Sequence, residues 1–562
     1  MALLDIWTGG LRRVACLLVL LPFPDRTLSA QSHPPQTPPR SEADAPLYPQ
    51  DVWMRYADPA DAGFSASALE KARRFFENRR GAAFMLVSGG TVVAAWGDVD
   101  RRFLTHSMRK SFLSALYGVH SVEIGLSLDL DSLGIDDLGG LTTQEKQARV
   151  VDLLASRSGV YHPAAAEGAE MSAARPERGT YAPGAHWWYN NWDFNVAGTV
   201  FRQLTRRDIF AAFGEDIAQP LGMEDYRPVD GSYYYDRDKS KHPAYTFRMS
   251  TRDLARFGLL FARGGRWRGE QIIPTAWVAE STASHSETDT GEGYGYMWWV
   301  GDDGDFSARG YGGHVLVVYP RLDLVMVIRA DTYHDRFLAN RAIDRLIQRV
   351  VTAGGRDRSP APRLVPMVAS PDPEPVPLPQ APESYTGTVM LGSGDSVVIG
   401  SYEGHLTIDW GRGAYELVPE GGARFRVKDS GDPLLFDFDD QGRVRDVWSE
   451  PLTYLEAARA VRAGRVDDAA DEIAAAVERF PESATLRYNL ARAVAGTGRV
   501  GDAMVHLRDA LRLDPDYREA STLLRRLLAR RYGWIVGTLL ILFGGVLYMR
   551  SRAARGPRPP MW

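Results

Sequence analysis

Cysteine and lysine are both scarce in this chain. Among 562 residues there is one cysteine, Cys16, and only six of the 66 basic residues are lysine. Cys16 lies in an N-terminal segment expected to be removed. The remaining chain then has no thiol, which excludes disulfides, thiol catalysis and thiolate metal sites. Charge of one sign is also lacking. A net charge of −5 over this length gives no basic footprint for nucleic acid. At 44% hydrophobic and 24% charged the chain is globular, and it is long enough for several domains.

Long apolar runs occur near the two ends. Arg12 and Arg13 precede the run Val14–Leu21, and small residues follow at Ser29-Ala30, the layout of a secretory signal peptide over 1–30. Leu28 is larger than the usual residue near a cleavage site, and an uncleaved anchor is the alternative, although the run is short for a span. The second run is Tyr532–Met549. Eighteen residues at ~1.5 Å each cover ~27 Å, close to a bilayer core of ~30 Å. Tyr532, Trp534 and Tyr548 would stand near its interfaces. Arginines are nearly balanced across the run, so orientation is read from the signal-like N-terminus. The expectation is a single-pass protein of the inner membrane, with its body outside the cytoplasm and residues 550–562 inside.

Between these ends, residues 31–48 read as a spacer rich in Pro and Ser. "AAFMLVSGGTVVAAWGD" is a strand pair turning at Gly89-Gly90, and "GHVLVVYP" with "LDLVMVIRAD" is a second pair. Helical patterns fill most of the interval. Residues 49–354 are therefore expected to form an α/β layer, an antiparallel sheet flanked by helices, beside a helical subdomain. A Pro-rich linker follows at 355–382, then a small antiparallel β domain at 383–450. In 451–528, Gly464-Arg465-Val466 recurs as Gly498-Arg499-Val500, and Pro481 as Pro515. A 34-residue period is that of tetratricopeptide repeats, which would offer a surface for a protein partner. A generic Ala-rich helical stalk is the alternative.

Chemistry concentrates in "LTHSMRKSFLSALYGVH", where Met108, Phe112, Ala115, Leu116 and Val119 form an apolar helical stripe. Ser107 and Lys110 lie three apart, on one side of that helix. Ser107 falls in the first turn, where unpaired N–H groups and the positive helix end stabilise developing negative charge. Ser-x-x-Lys arises by chance, but of six lysines only Lys110 has serine three positions earlier. A desolvated lysine can accept a proton, which arginine cannot. A further proton-transfer group is offered by "PGAHWWYNNWDFN": Asn191 alone among six asparagines has tyrosine two positions earlier, Tyr189. The competing reading is an aromatic core patch around Trp187, Trp188 and Trp192.

Ser-x-x-Lys at a helix start, Tyr-x-Asn about 80 residues on, and then a glycine-rich strand resemble, in that order, the penicillin-recognising serine enzymes. The resemblance is to the class C β-lactamase, D-alanyl-D-alanine peptidase, esterase and 6-aminohexanoate-dimer hydrolase branch. It covers roughly residues 50–350 and extends to "VVDLLASRSGVYH" and "YTFRMSTRDLARFGLLFARGGRWRGEQIIP". It implies Ser107 as nucleophile and Lys110 with Tyr189 as the acid/base pair, with Tyr189 taking the Ser107 proton. Asn191 would orient Lys110 and a substrate amide. Gly310 would leave room for substrate along the strand, and the N–H groups of Ser107 and Tyr311 would hold the oxyanion. Where the family carries Lys-Thr-Gly or His-x-Gly, this chain has Ala308-Arg309-Gly310. Loss of the usual cation points to an esterase or amidase rather than an efficient β-lactamase. Arg309 could replace it, but adjacent strand residues point to opposite faces. No cofactor is implied, and His106, His162, His186 and His314 lack the spacing of a zinc site. The competing function is a catalytically weak sensor that captures a cell-wall or peptide ligand and recruits a partner through its repeats.

Overall fold

A computed structural model describes residues 47–532 apart from 335, 368–375, 379 and 392–395. The signal-like segment and all but the first residue of Tyr532–Met549 lie outside the described residues. Within them, no helix is long and apolar enough to cross a membrane.

The central layer is a ten-stranded sheet. Its middle strands run Phe306–Gly310, His314–Tyr319, Leu324–Ala330, Gly81–Ser88 and Thr91–Gly97, in that spatial order. Gly89 and Gly90, at φ 63° and 79°, turn the hairpin that the sequence marked. These strands read as unbroken apolar runs because both faces are covered. Phe84, Leu86, Met326 and Ile328 pack towards Ala66–Glu77 and Asn340–Ala353 through Leu69, Phe76, Ile343 and Leu346. Met85, Val87, Val325 and Val327 face the other way, against Phe257 and Leu260 of Thr251–Ala262. Alternation of side chains along a strand makes that division unavoidable.

Two details depart from the expected plan. The sheet is not wholly antiparallel, because Met54–Tyr56 pairs parallel to Thr91–Gly97. The supposed linker also begins late: Leu364–Pro366 adds an edge strand antiparallel to Met54–Tyr56, and Met367 donates its N–H to the Trp53 carbonyl at 2.7 Å. Proline tolerates that position because an edge strand leaves one row of its backbone groups without a ladder partner.

Beyond the ten-stranded layer, a seven-stranded antiparallel sheet runs in sequence order from Gly387–Met390 to Val444–Ser449. Four helices follow, Glu450–Arg462, Val466–Arg479, Ala484–Gly496 and Val500–Leu513, with further helix over 518–532. Ala469, Ala476, Ala503 and Ala510, placed one period apart, are fully buried between them and let the helices approach closely. The seven-stranded sheet docks on the first layer through ion pairs. Buried Arg102 reaches Asp429, Asp230 and Glu416 at 3.0, 3.3 and 3.3 Å, and Arg227 reaches Glu416 at 2.8 Å. Charges out of water persist only with such multiple pairing.

Candidate active site

The helix that follows Ser107 does more than bury a stripe. A 3₁₀ turn, His106–Met108, leads into Arg109–Val119, and every residue from Arg109 to Gly118 is buried. The helix runs through the core, so Lys110 enters it too. Its Nζ donates to Ser107 Oγ at 2.8 Å and lies 4.8 Å from the ring centres of both Tyr189 and Phe194. No ion pair to a carboxylate is found for Lys110 among the described residues. Burial, reinforced by the neighbouring Arg109 charge, holds its pKa well below the ordinary lysine value. Arg109 is buried against the Tyr245 ring at 4.3 Å and donates to Asn195 Oδ1 at 3.3 Å.

Tyr189 is positioned by Ser156, a left-handed residue at φ 56°. The Ser156 hydroxyl donates to the Trp188 carbonyl at 2.7 Å and accepts from the Asn190 N–H at 3.0 Å, gripping the backbone on both sides of the tyrosine. The ring stacks on Trp299 with centres 5.7 Å apart and contacts Phe194 at 5.1 Å. Burial raises the phenol to about 12, with a Ser107 hydrogen bond and the Arg109 charge acting in the opposite direction. Both shifts are set mainly by burial, which disfavours the charged ammonium of Lys110 and the charged phenolate of Tyr189 alike.

Asn191 opens the helix Asn191–Thr205, and no hydrogen bond joins it to Lys110 among the described residues. Its Nδ2 donates to the Ala166 carbonyl at 3.0 Å, while its Oδ1 is buried with no hydrogen-bond partner. A buried acceptor of this kind suits a substrate N–H. Gly310 is required for a different reason from the one the sequence suggested. A Cβ there would stand 2.6 Å from the Thr105 carbonyl oxygen and 3.3 Å from Met108. The strand therefore needs glycine to lie close against the turn carrying Ser107. Tyr311 is 55% exposed and meets the His106 ring edge-on at 5.8 Å, at the rim of the site.

Ala308 is buried in the core at 1% exposure. Arg309 does not stand in for a free cation, since it is committed to Glu292 at 2.5 and 2.9 Å and lies over Trp299. His106 and His314, expected to be scattered, come together: their rings are 5.2 Å apart and both reach Thr332 Oγ1, at 2.9 and 3.3 Å. Arg329 Nε donates to His314 Nδ1 at 2.8 Å, which leaves the proton of neutral His314 on Nε2, facing Thr332. Burial and the Arg329 charge lower His106 to about 4. These groups fix the turn before Ser107, where His106 itself adopts φ 48°. Among the described residues no three His, Cys, Asp or Glu side chains are grouped as a metal site would need. Sequence reading missed Arg109, Ser156 and Trp299, because nothing in the local pattern announces which polar or aromatic residue will be buried beside a dyad.

Residues 66–348 match the beta-lactamase family, and the chain belongs to it. Residues 454–518 match the tetratricopeptide repeat. No curated protein matches the chain. Among solved structures, one similar protein is described as a 6-aminohexanoate-dimer hydrolase from Bacillus anthracis, at 19% identity and TM-score 0.40, covering 50% of this chain and 80% of that one. Others are a penicillin-binding protein homolog from Caulobacter crescentus (15%, TM-score 0.39, 52% and 99%) and a family VIII carboxylesterase (18%, TM-score 0.38, 52% and 99%).

Proposed function

We propose that this protein is a serine hydrolase that cleaves an ester or amide through an acyl-enzyme on Ser107. The observation carrying this reading is the 2.8 Å hydrogen bond between Ser107 Oγ and a buried Lys110 that has no carboxylate partner among the described residues. Lys110, as neutral amine, takes the Ser107 proton while Oγ bonds to the substrate carbonyl carbon. Carbonyl electrons move onto oxygen, facing N–H groups at the helix start, Ser107 among them. On collapse the leaving oxygen or nitrogen departs with a proton passed from Lys110, Tyr189 serving as the relay. Water then enters, loses its proton along the same route and releases the acid, restoring Ser107.

The substrate lies along Phe306–Gly310, with Asn191 Oδ1 receiving an amide N–H. A β-lactam carboxylate held along that strand meets Ala308 and a neutralised Arg309. It loses a charge-assisted contact worth about 1.5–3 kcal/mol, or about ten- to a hundredfold in rate. A p-nitrophenyl ester is therefore expected to show a kcat/KM clearly above that of a chromogenic cephalosporin on the same preparation. Equal or better cephalosporin turnover would remove the ester preference.

The sequence of the ends supports a location outside the cytoplasm, with anchoring through Tyr532–Met549 and repeats available to a protein partner. Protease added to spheroplasts is expected to digest the body and spare a tag placed after Trp562. Digestion of the tag with a protected body would reverse that orientation.

A further inference from the structure

One turn of the seven-stranded sheet reaches both approaches to Ser107. Residues 428–432 join Arg424–Val427 to Pro433–Phe438, and the Val427 N–H bonds the Asp432 carbonyl at 2.9 Å to close the turn. Asp429, Ser430 and Asp432 are buried at its tip. Polar side chains are buried at a turn only where partners await them. The first partners belong to the stretch that leads into Ser107. Arg101 donates to the Asp429 and Ser430 carbonyls at 2.5 and 3.2 Å, and Arg102 Nε donates to the Asp429 carboxylate at 3.0 Å. Ser107 lies five positions after Arg102. The loop 410–414, which carries Arg412, adds a hold on the same stretch. Ala414 donates its N–H to the Val229 carbonyl at 2.8 Å and accepts from Arg248. Arg248–Met249 is the strand paired with Phe103–Leu104.

The second approach is held by the same turn. His334 ends a 3₁₀ turn, Thr332–His334, that follows the strand Leu324–Ala330. Its ring bridges the two domains: Nδ1 lies 2.8 Å from the Asp331 carboxylate and Nε2 3.4 Å from that of Asp432. Burial disfavours the imidazolium, but the two carboxylates outweigh it and raise His334 to about 9, so the charged ring pairs with both at neutral pH. The Tyr333 hydroxyl donates to the Arg102 carbonyl at 3.0 Å and ties the two approaches together. Thr332 completes the path. Arg329 donates to His314 Nδ1, so His314 donates from Nε2 to Thr332 Oγ1. The Thr332 hydroxyl proton is then directed at His106 Nε2, 2.9 Å away. His106 needs such a hold. It is a non-glycine residue at φ 48°, a conformation that persists only where neighbours enforce it.

We infer that the turn 428–432 is a positioning element of the Ser107 site: by holding Arg102 on one approach and His334 on the other it sets the left-handed turn at His106, so that acylation needs the β domain docked. This rests on the Ser107 hydrolase reading and gives the β domain a role that the reading leaves open. Asp432 and Thr332 act through His106, on the placement of Ser107 Oγ and of the N–H groups beside it. A misplacement of reacting groups by about 1 Å costs up to about a hundredfold in rate. Binding along Phe306–Gly310 is left largely untouched.

The test uses the full-length protein, a p-nitrophenyl ester and the rate at which a fluorescent phosphonate labels Ser107. Thr332→Val removes the hydroxyl shared by His106 and His314, and Asp432→Ala removes the β-domain end of the path. Each is expected to lower kcat and the labelling rate by about tenfold, with KM within about twofold. The double variant should be little slower than the slower single one, because both changes interrupt one path. Arg80→Gln is the control. It loosens the contact of the same domain with the repeats, where Arg80 donates to the Asp516 carbonyl at 3.2 Å, and should leave both rates unchanged. Losses that multiply in the double variant, wild-type labelling in Asp432→Ala, or an equal loss in Arg80→Gln overturns the positioning role. If Asp432→Ala does not fold, His334→Ala, at a partly exposed side chain, takes its place with the same expected outcomes. A wild type that is neither labelled nor active sinks the hydrolase reading, and the positioning role with it.

Discussion

Ser107→Ala is expected to reduce p-nitrophenyl ester hydrolysis by about a thousandfold or more, with no loss of thermal stability. The hydroxyl is the only part of the side chain removed. It sits in a 3₁₀ turn whose backbone is held by other groups: the Thr105 hydroxyl bonds the Phe247 carbonyl at 3.1 Å, and Ser111 bonds the Met297 carbonyl at 2.8 Å. Alanine leaves both intact. It also relieves Lys110 of its hydrogen-bond partner without exposing it. A fluorescent phosphonate, which reports the nucleophile itself, is expected to label wild type once and the variant not at all. Labelling that persists in Ser107→Ala, or activity above about a tenth, would move the nucleophile elsewhere.

Lys110→Arg is expected to cost nearly as much, which separates a base from a mere cation. Arginine keeps the charge and can still donate to Ser107, but it cannot give up its proton at working pH. If Lys110 only stabilised charge, the exchange would be mild. If it accepts the serine proton, kcat falls by about a hundredfold or more while KM changes little. The pH profile gives the same distinction without touching the dyad. A neutral amine is needed, so activity is lost as pH falls through the Lys110 pKa. Burial first and Arg109 second lower that pKa, placing the limb well below the ordinary lysine range. Arg109→Met removes one of the two causes. Protonation becomes easier, the pKa rises, and the acidic limb of kcat/KM should move to higher pH. A limb that stays in place would show that another group controls the reaction. A Lys110→Arg enzyme with more than about a tenth of wild-type activity would do the same.

The repeats illustrate how far pattern alone carries. Small alanines one period apart are legible in the chain, and the helices they imply are those observed, because a 34-residue spacing leaves few other ways to bury them. The supposed linker illustrates the opposite case. Leu364-Val365-Pro366 looks like part of a Pro-rich spacer and becomes an edge strand only because Met54–Tyr56 offers it a partner more than three hundred residues away.

By itself the sequence determined the dyad, since residues three apart on a helix must share a side and only one lysine has serine so placed. It determined the strand pairs as well, through continuous apolar runs around tight turns. Tertiary structure decided what the dyad can do. Whether Lys110 is charged depends on Phe194, Tyr189 and Arg109 closing over it, and no spacing rule states a dielectric environment. Gly310 earned a functional meaning from the sequence, but its cause is the Thr105 carbonyl on a distant strand turn. Arg412 is one arginine among many in the chain. The loop that carries it is clamped through Ala414 by Arg248 and Val229, a close approach between residues far apart in sequence that folding alone creates.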